Sequence, residues 1–203
     1  EKALSDQKGL PPSDYCLSSD LNIARAPEND DILEATAPFT PDECQNYSDF
    51  SFKGLALPAK TLLMIDRITA FTPHSWPKGE GYISGKKRVN PDEWYFKAHF
   101  YQDPVCPGSL GLESFLQLLK FYAKRHWQRL VDSHRFELIP ETTHRWTYRG
   151  QIISTNRLIT IEAIIKRIEE KKDPLIVADG WVSVDDLPIY KIENFGLQLV
   201  PRS

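Results

Sequence analysis

An α+β fold, in which an antiparallel sheet wraps one long helix, is predicted by three observations. A single stretch, 109–130, carries sustained helical periodicity, five or six other stretches read as long strands, and breakers separate nearly all of them. In chain order, residues 1–37 are acidic and aperiodic, with Pro11-Pro12 and Glu28-Asn29-Asp30-Asp31, and read as a linker or surface extension. The main domain is expected over 38–203. Thr40 with Glu43 three residues on makes a capping box, and Pro41 suits the first helical position, so a short helix is expected there. The stretch 62–71 reads as a strand ended by Thr72-Pro73, and 81–89 as a second ended by Asn90-Pro91. Beyond the helix, 143–151, the β-branched 158–168, and 175–184 are strand-like, and 189–199 closes the chain.

The helix rests on Leu112, Phe115, Leu116, Leu119, Tyr122, Ala123, Trp127 and Leu130, which recur at three- and four-residue spacing. At about 1.5 Å per residue it spans roughly 30 Å, enough to cross a small domain. Pro107-Gly108-Ser109 marks its start, with Ser109 the expected N-cap. Free N–H groups from Gly108 to Gly111, together with the helix dipole, suit a partial negative charge placed before the helix. Glu113, in the first turn or just beyond, has two readings. It complements the dipole on a solvated face, or Leu112, Phe115 and Leu116 hold it in an apolar setting that keeps a carboxyl protonated.

Composition narrows the function. The chain has 203 residues, 41% of them hydrophobic, which is enough for a sizeable core. It has no apolar run near 18 residues and no charged-then-apolar leader, which predicts a soluble, cytoplasmic protein without a membrane span. Residues 1–50 hold 11 acidic against 3 basic side chains, a balance of −8, and the rest of the chain carries +5. So weak a basic excess, without interleaved aromatics, argues against nucleic acid as a partner. Cys16, Cys44 and Cys106 form no CxxC or Cys/His pattern, and His74, His126, His134 and His144 share no ligand spacing, so no metal site is expected.

The block His99-Phe100-Tyr101-Gln102-Asp103-Pro104-Val105-Cys106-Pro107-Gly108-Ser109-Leu110-Gly111-Leu112-Glu113 is built like a site: a histidine, a proline-punctuated loop, a Gly-rich turn and a carboxylate. Together with Leu57-Pro58-Ala59, Leu63-Met64-Ile65-Asp66-Arg67-Ile68, Asn90-Pro91-Asp92-Glu93-Trp94 and Gln117, it resembles the 3-hydroxyacyl-acyl carrier protein dehydratases of the 3-hydroxydecanoyl type. The resemblance runs from about Leu57 to Val200. It implies a hot-dog fold working as a dimer or a fused pair, and a place in a multifunctional polyunsaturated-fatty-acid or polyketide synthase. It also implies a substrate carried on the phosphopantetheine of acyl carrier protein, with no other cofactor.

The chemistry of that family needs a base for the C2 proton, an acid for the leaving hydroxyl, and donors for the charge on the thioester oxygen. The resemblance assigns these to His99, Glu113 and the Gly108 N–H, with Val105, Cys106, Ser109 and Gln117 contacting substrate or orienting the acid. Cys106 also reads as a small buried hydrophobe rather than a nucleophile. Lys86, Lys87, Arg88, Arg145, Arg149, Lys166 and Arg167 either receive an acidic carrier protein and its phosphate or form a solvated face. Where dehydratase/isomerases commonly carry Cys and Asp, this chain has Ser109 and Glu113, and glutamate is more typical of dehydratase-only relatives. That departure argues against double-bond isomerisation as an added activity. A non-catalytic hot-dog scaffold that docks a carrier protein, and a hot-dog acyl thioesterase, remain the alternatives.

Overall fold

The long helix is buried on almost every side. Residues 55–58, 60–73 and 80–202 are described by the computed structural model, and the expected acidic arm and the short helix at Thr40 lie outside them. The elements are β1 (Arg67–Thr72), β2 (Gly81–Arg88), α1 (Trp94–Ala98), α2 (Gly108–His126), β3 (His134–Leu138), β4 (Arg145–Tyr148), β5 (Leu158–Glu169), β6 (Leu175–Val184) and β7 (Leu187–Pro201). All seven strands join one antiparallel sheet, ordered β1-β2-β5-β6-β7-β3, with β4 also paired to β7. This is the hot-dog arrangement of a curled sheet around one helix.

No residue of α2 from Leu110 to Lys124 is exposed, because β2, β5, β6 and β7 close around it. Its apolar surface is accordingly wider than one stripe: Leu118 and Phe121 are buried along with Phe115, Leu119 and Tyr122. The longest strand pair, β6 and β7, turns through Asp185 and Asp186, whose φ values of 47° and 69° make the left-handed two-residue hairpin. The Asp185 carboxylate there accepts the backbone N–H groups of Arg157 (3.0 Å) and Leu158 (2.9 Å), which ties the hairpin to the start of β5.

Helix and sheet approach closely at Gly180 on β6. A Cβ at that position would lie 1.9 Å from Phe115 Cε2 and 2.5 Å from the Glu162 carbonyl oxygen, and the latter is backbone that cannot step aside. Gly180→Ala is expected to cost about 1–3 kcal/mol or more, the range for an overpacked core. Urea unfolding should show it as a lower midpoint at unchanged slope, and an unmoved midpoint would refute the close packing.

Several boundaries differ from the sequence reading, each for a tertiary reason. The helix starts one residue earlier, at Gly108. Its N-cap is Pro107, whose carbonyl accepts Leu110 N–H at 3.0 Å, and Ser109 makes no side-chain cap. It ends at His126 rather than near 130, because Trp127 turns out of helical geometry as its indole N–H bonds Glu170 at 2.8 Å, and a 3-10 turn over Gln128–Leu130 follows. Of 62–71 only the second half is strand: Leu62 O and Met64 N bond the Gln117 side chain, each at 2.8 Å, and so leave the sheet ladder. The expected 143–151 strand contracts to β4. Two elements were not anticipated: β3, and α1, whose start follows an Asx turn in which Asp92 N–H bonds Asn90 Oδ1 at 3.0 Å.

Candidate active site

His99 is the C-cap of α1, its N–H bonded to Tyr95 O at 3.1 Å. The short helix is anchored by buried Tyr95 and Phe96 and by the Trp94 indole, which donates to Thr61 O at 3.0 Å. At its start the buried Lys87 ammonium, 6% exposed, lies 3.2 Å from Glu93 and 3.8 Å from Asp66. Lys87 is therefore taken up by an internal ion cluster, and the expectation that it helps receive a carrier phosphate is corrected. A cation this buried needs its partners more than it strengthens the fold.

The loop from His99 to the helix is stitched down. Phe100 and Asp103 bridge across a turn in which Gln102 takes a φ of 57°. Val105 bridges to Ile153, and Cys106 N–H donates to Ile152 O at 2.8 Å, so both Val105 and Cys106 are buried. That places the Val105 carbonyl 3.2 Å from His99 Nδ1. A carbonyl can only accept, so Nδ1 carries a proton, and in the neutral ring the lone pair is on Nε2.

Gly108, half-buried, begins α2 immediately afterwards. A Cβ there would meet Tyr148 Cε2 at 3.1 Å and Trp146 Cη2 at 3.3 Å, so glycine lets this edge of β4 close over the helix start. Ser109 is exposed, with its hydroxyl making no cap.

Glu113 is held rather than free. Its Oε1 accepts from Gln117 Nε2 at 2.8 Å and lies 3.8 Å from Lys120 Nζ. The carboxyl, 27% exposed, thus sits in polar company and not in the apolar setting that Leu112, Phe115 and Leu116 suggest. Gln117 is buried and fully engaged: its Oε1 accepts Met64 N–H, and its amide nitrogen serves both Leu62 O and Glu113. It is an orienting residue, locking the carboxylate to the segment before β1. Among the described residues, both of these contacts of the carboxylate fall on Oε1. His99 and Glu113 make no hydrogen bond or ion pair with each other.

Cys106 is a core residue. Burial pushes its thiol up to about 12, partly offset by Lys87, so almost none of it is thiolate at neutral pH. Alkylation of Cys106 by iodoacetamide at pH 8 is expected to be about 10³-fold slower in the native protein than after unfolding, as peptide mapping can read. Rapid native labelling would return it to the list of nucleophiles. Among the described residues no cluster of His, Cys, Asp or Glu is suited to a metal. No helix among them is long and apolar enough to cross a membrane.

A family model described as a FabA-like domain matches residues 57–193. The chain belongs to the FabA-like domain family. The match spans every site residue named above, from His99 to Gln117. Among solved structures, the FabA-like chain is similar to the dehydratase heterocomplex ApeI:P from Xenorhabdus doucetiae, at 13% identity and a TM-score of 0.52, covering 71% of this chain and 86% of that one. It is also similar to a mutant thioesterase from Pseudomonas aeruginosa, at 13% identity and a TM-score of 0.45, covering 71% and 87%. Likeness at this level concerns the fold alone.

Sequence reasoning missed the aromatic side of the site. Trp146 and Tyr148 lie on the same face of β4, two residues apart, and Tyr190 stands opposite Tyr148 on β7. The alternating Trp146-Thr147-Tyr148 was the available signal, but only the β4–β7 pairing shows that it reaches Gly108.

Proposed function

We propose that this chain removes water from 3-hydroxyacyl thioesters borne on the phosphopantetheine arm of acyl carrier protein, yielding trans-2-enoyl thioesters. The observation that carries the reading is the Nδ1 contact of His99 with Val105 O, within a segment matched by the FabA-like model, because it leaves Nε2 as a base in the required tautomer. In the forward direction Nε2 accepts the C2 proton, and the electron density moves to the thioester oxygen, which accepts a hydrogen bond donated by the Gly108 N–H. The enolate then collapses to form the C2–C3 double bond as the C3–O bond breaks, and Glu113 in its acid form, oriented by Gln117, gives its proton to the departing hydroxyl, which leaves as water. No cofactor beyond the phosphopantetheine takes part.

The proposed partner is a second hot-dog unit, either another copy or a neighbouring domain of a fatty-acid or polyketide synthase. β4 is paired on one side only among the described strands, and its Trp146 and Tyr148 are partly exposed beside Gly108. An edge strand bearing aromatics is stabilised by cover. Arg88 and Arg145, both exposed, are the cations proposed to meet the acidic carrier protein. Incubation with a 3-hydroxydecanoyl thioester followed by mass spectrometry is expected to show the enoyl thioester. Free acid would make the chain a thioesterase, and unchanged substrate would make it a scaffold.

A further inference from the structure

Three buried polar side-chain atoms have no hydrogen-bond partner among the described residues: the hydroxyls of Tyr95 and Tyr190 and the indole nitrogen of Trp181. Native folds rarely leave such groups unserved, and each calls for a reason. Tyr190 offers one through its position. It is 2% exposed, and its ring fills the first turn of α2 so closely that a Cβ at Gly111 would lie 1.9 Å from Tyr190 Cε2. Its ring stacks on Tyr148 at 4.9 Å and 25°, and Trp146 meets it edge-on at 6.0 Å. Tyr148 and Trp146 are the same rings that crowd Gly108. The Tyr148 side chain is near enough to raise the Tyr190 phenol, yet the Tyr190 hydroxyl makes no hydrogen bond of normal geometry among the described residues.

We infer that the Tyr190 hydroxyl is a substrate-binding donor, giving its hydrogen bond to the carbonyl oxygen of the acyl thioester beside the Gly108 N–H. The inference rests on the dehydratase reading above. Four observations converge on it. The hydroxyl has no hydrogen-bond partner among the described residues, so binding breaks no bond of its own there. Burial, with Tyr148 adding, holds the phenol well above its ordinary range, so it keeps its proton and acts as a donor. The ring is packed against the helix start, so the group is placed in advance of the reaction. Finally, the ring stacked on Tyr190 is at the surface: Tyr148 is 43% exposed on a four-residue strand.

Tyr190→Phe separates this role from a structural one, because it keeps the ring that packs on Gly111 and removes only the unserved oxygen. The melting temperature is expected to stay level or rise, since an orphan hydroxyl contributes nothing to the fold. The kcat/KM for a 3-hydroxydecanoyl N-acetylcysteamine thioester is expected to fall about 10²-fold, the loss for one oxyanion donor. Binding of the same thioester, titrated by calorimetry, gives a readout that does not depend on turnover. An active native protein whose Tyr190→Phe variant is equally active would overturn the donor role and leave the dehydratase reading standing. A native protein that binds the thioester without dehydrating it, and loses affinity in the variant, would remove the dehydratase reading and keep the donor. If the native protein neither binds nor converts the thioester, both are wrong.

Discussion

Hydration of an enoyl thioester is expected to fall at least about 10²-fold in His99→Ala and in Glu113→Gln proteins, the lower range for loss of a general acid or base. The two substitutions act on different supports. His99 caps a five-residue helix, and its ring meets the Val105 carbonyl at 3.2 Å and the exposed Phe100 ring at 4.0 Å between centroids, so removing it deletes little buried packing. Glu113→Gln keeps the shape and an acceptor oxygen for Gln117 while removing the ionisable carboxyl. Neither change opens a large cavity, so circular dichroism and the melting curve should remain close to native. A folded variant of either kind that works at near-normal rate would rule its residue out of the chemistry.

Mixing the two inactive proteins is expected to restore activity to about a quarter of native, if the site is shared across a two-fold axis. Random exchange makes about half of the dimers mixed, and each mixed dimer holds one intact site and one doubly damaged site. The structural motive is that His99 and Glu113 are held by separate partners, the Val105 carbonyl on one side and Gln117 with Lys120 on the other. The exposed aromatic edge at Trp146 and Tyr148 is the surface proposed to receive a second unit. Subunit exchange can be followed by native mass spectrometry of differently tagged chains. Demonstrated exchange with activity still at background would mean that both residues act within one chain.

Much of the site was legible because it is local. His99 to Glu113 is one continuous block, and the i, i+4 spacing of Glu113 and Gln117 puts their side chains on one helix face, where the structure shows them bonded. The long helix and the β5, β6 and β7 strands were equally legible, since periodicity over ten or more residues reflects burial that does not depend on the details of neighbours. Short elements behaved otherwise. The segment 62–66 has the apolar content of a strand, yet Gln117, more than fifty residues on in the chain, takes the backbone groups of Leu62 and Met64. Lys87 looked like a surface cation by composition and proved to be buried, because Asp66 and Glu93 arrive from two other segments to pair with it.

By itself, then, the sequence determined one helix enclosed by a long-stranded antiparallel sheet, and the order of a histidine, a glycine turn and a carboxylate along one stretch. These follow from side-chain period and from residues adjacent in the chain. Only the tertiary structure decided which nitrogen of His99 is free and what company Glu113 keeps, since both answers come from the folding of the 100–107 loop and the helix face around them. It alone brought Tyr190 from the last strand against Gly111 near the start of the helix, because a register between β4 and β7 is set by the packing of the whole sheet and is not written in either strand.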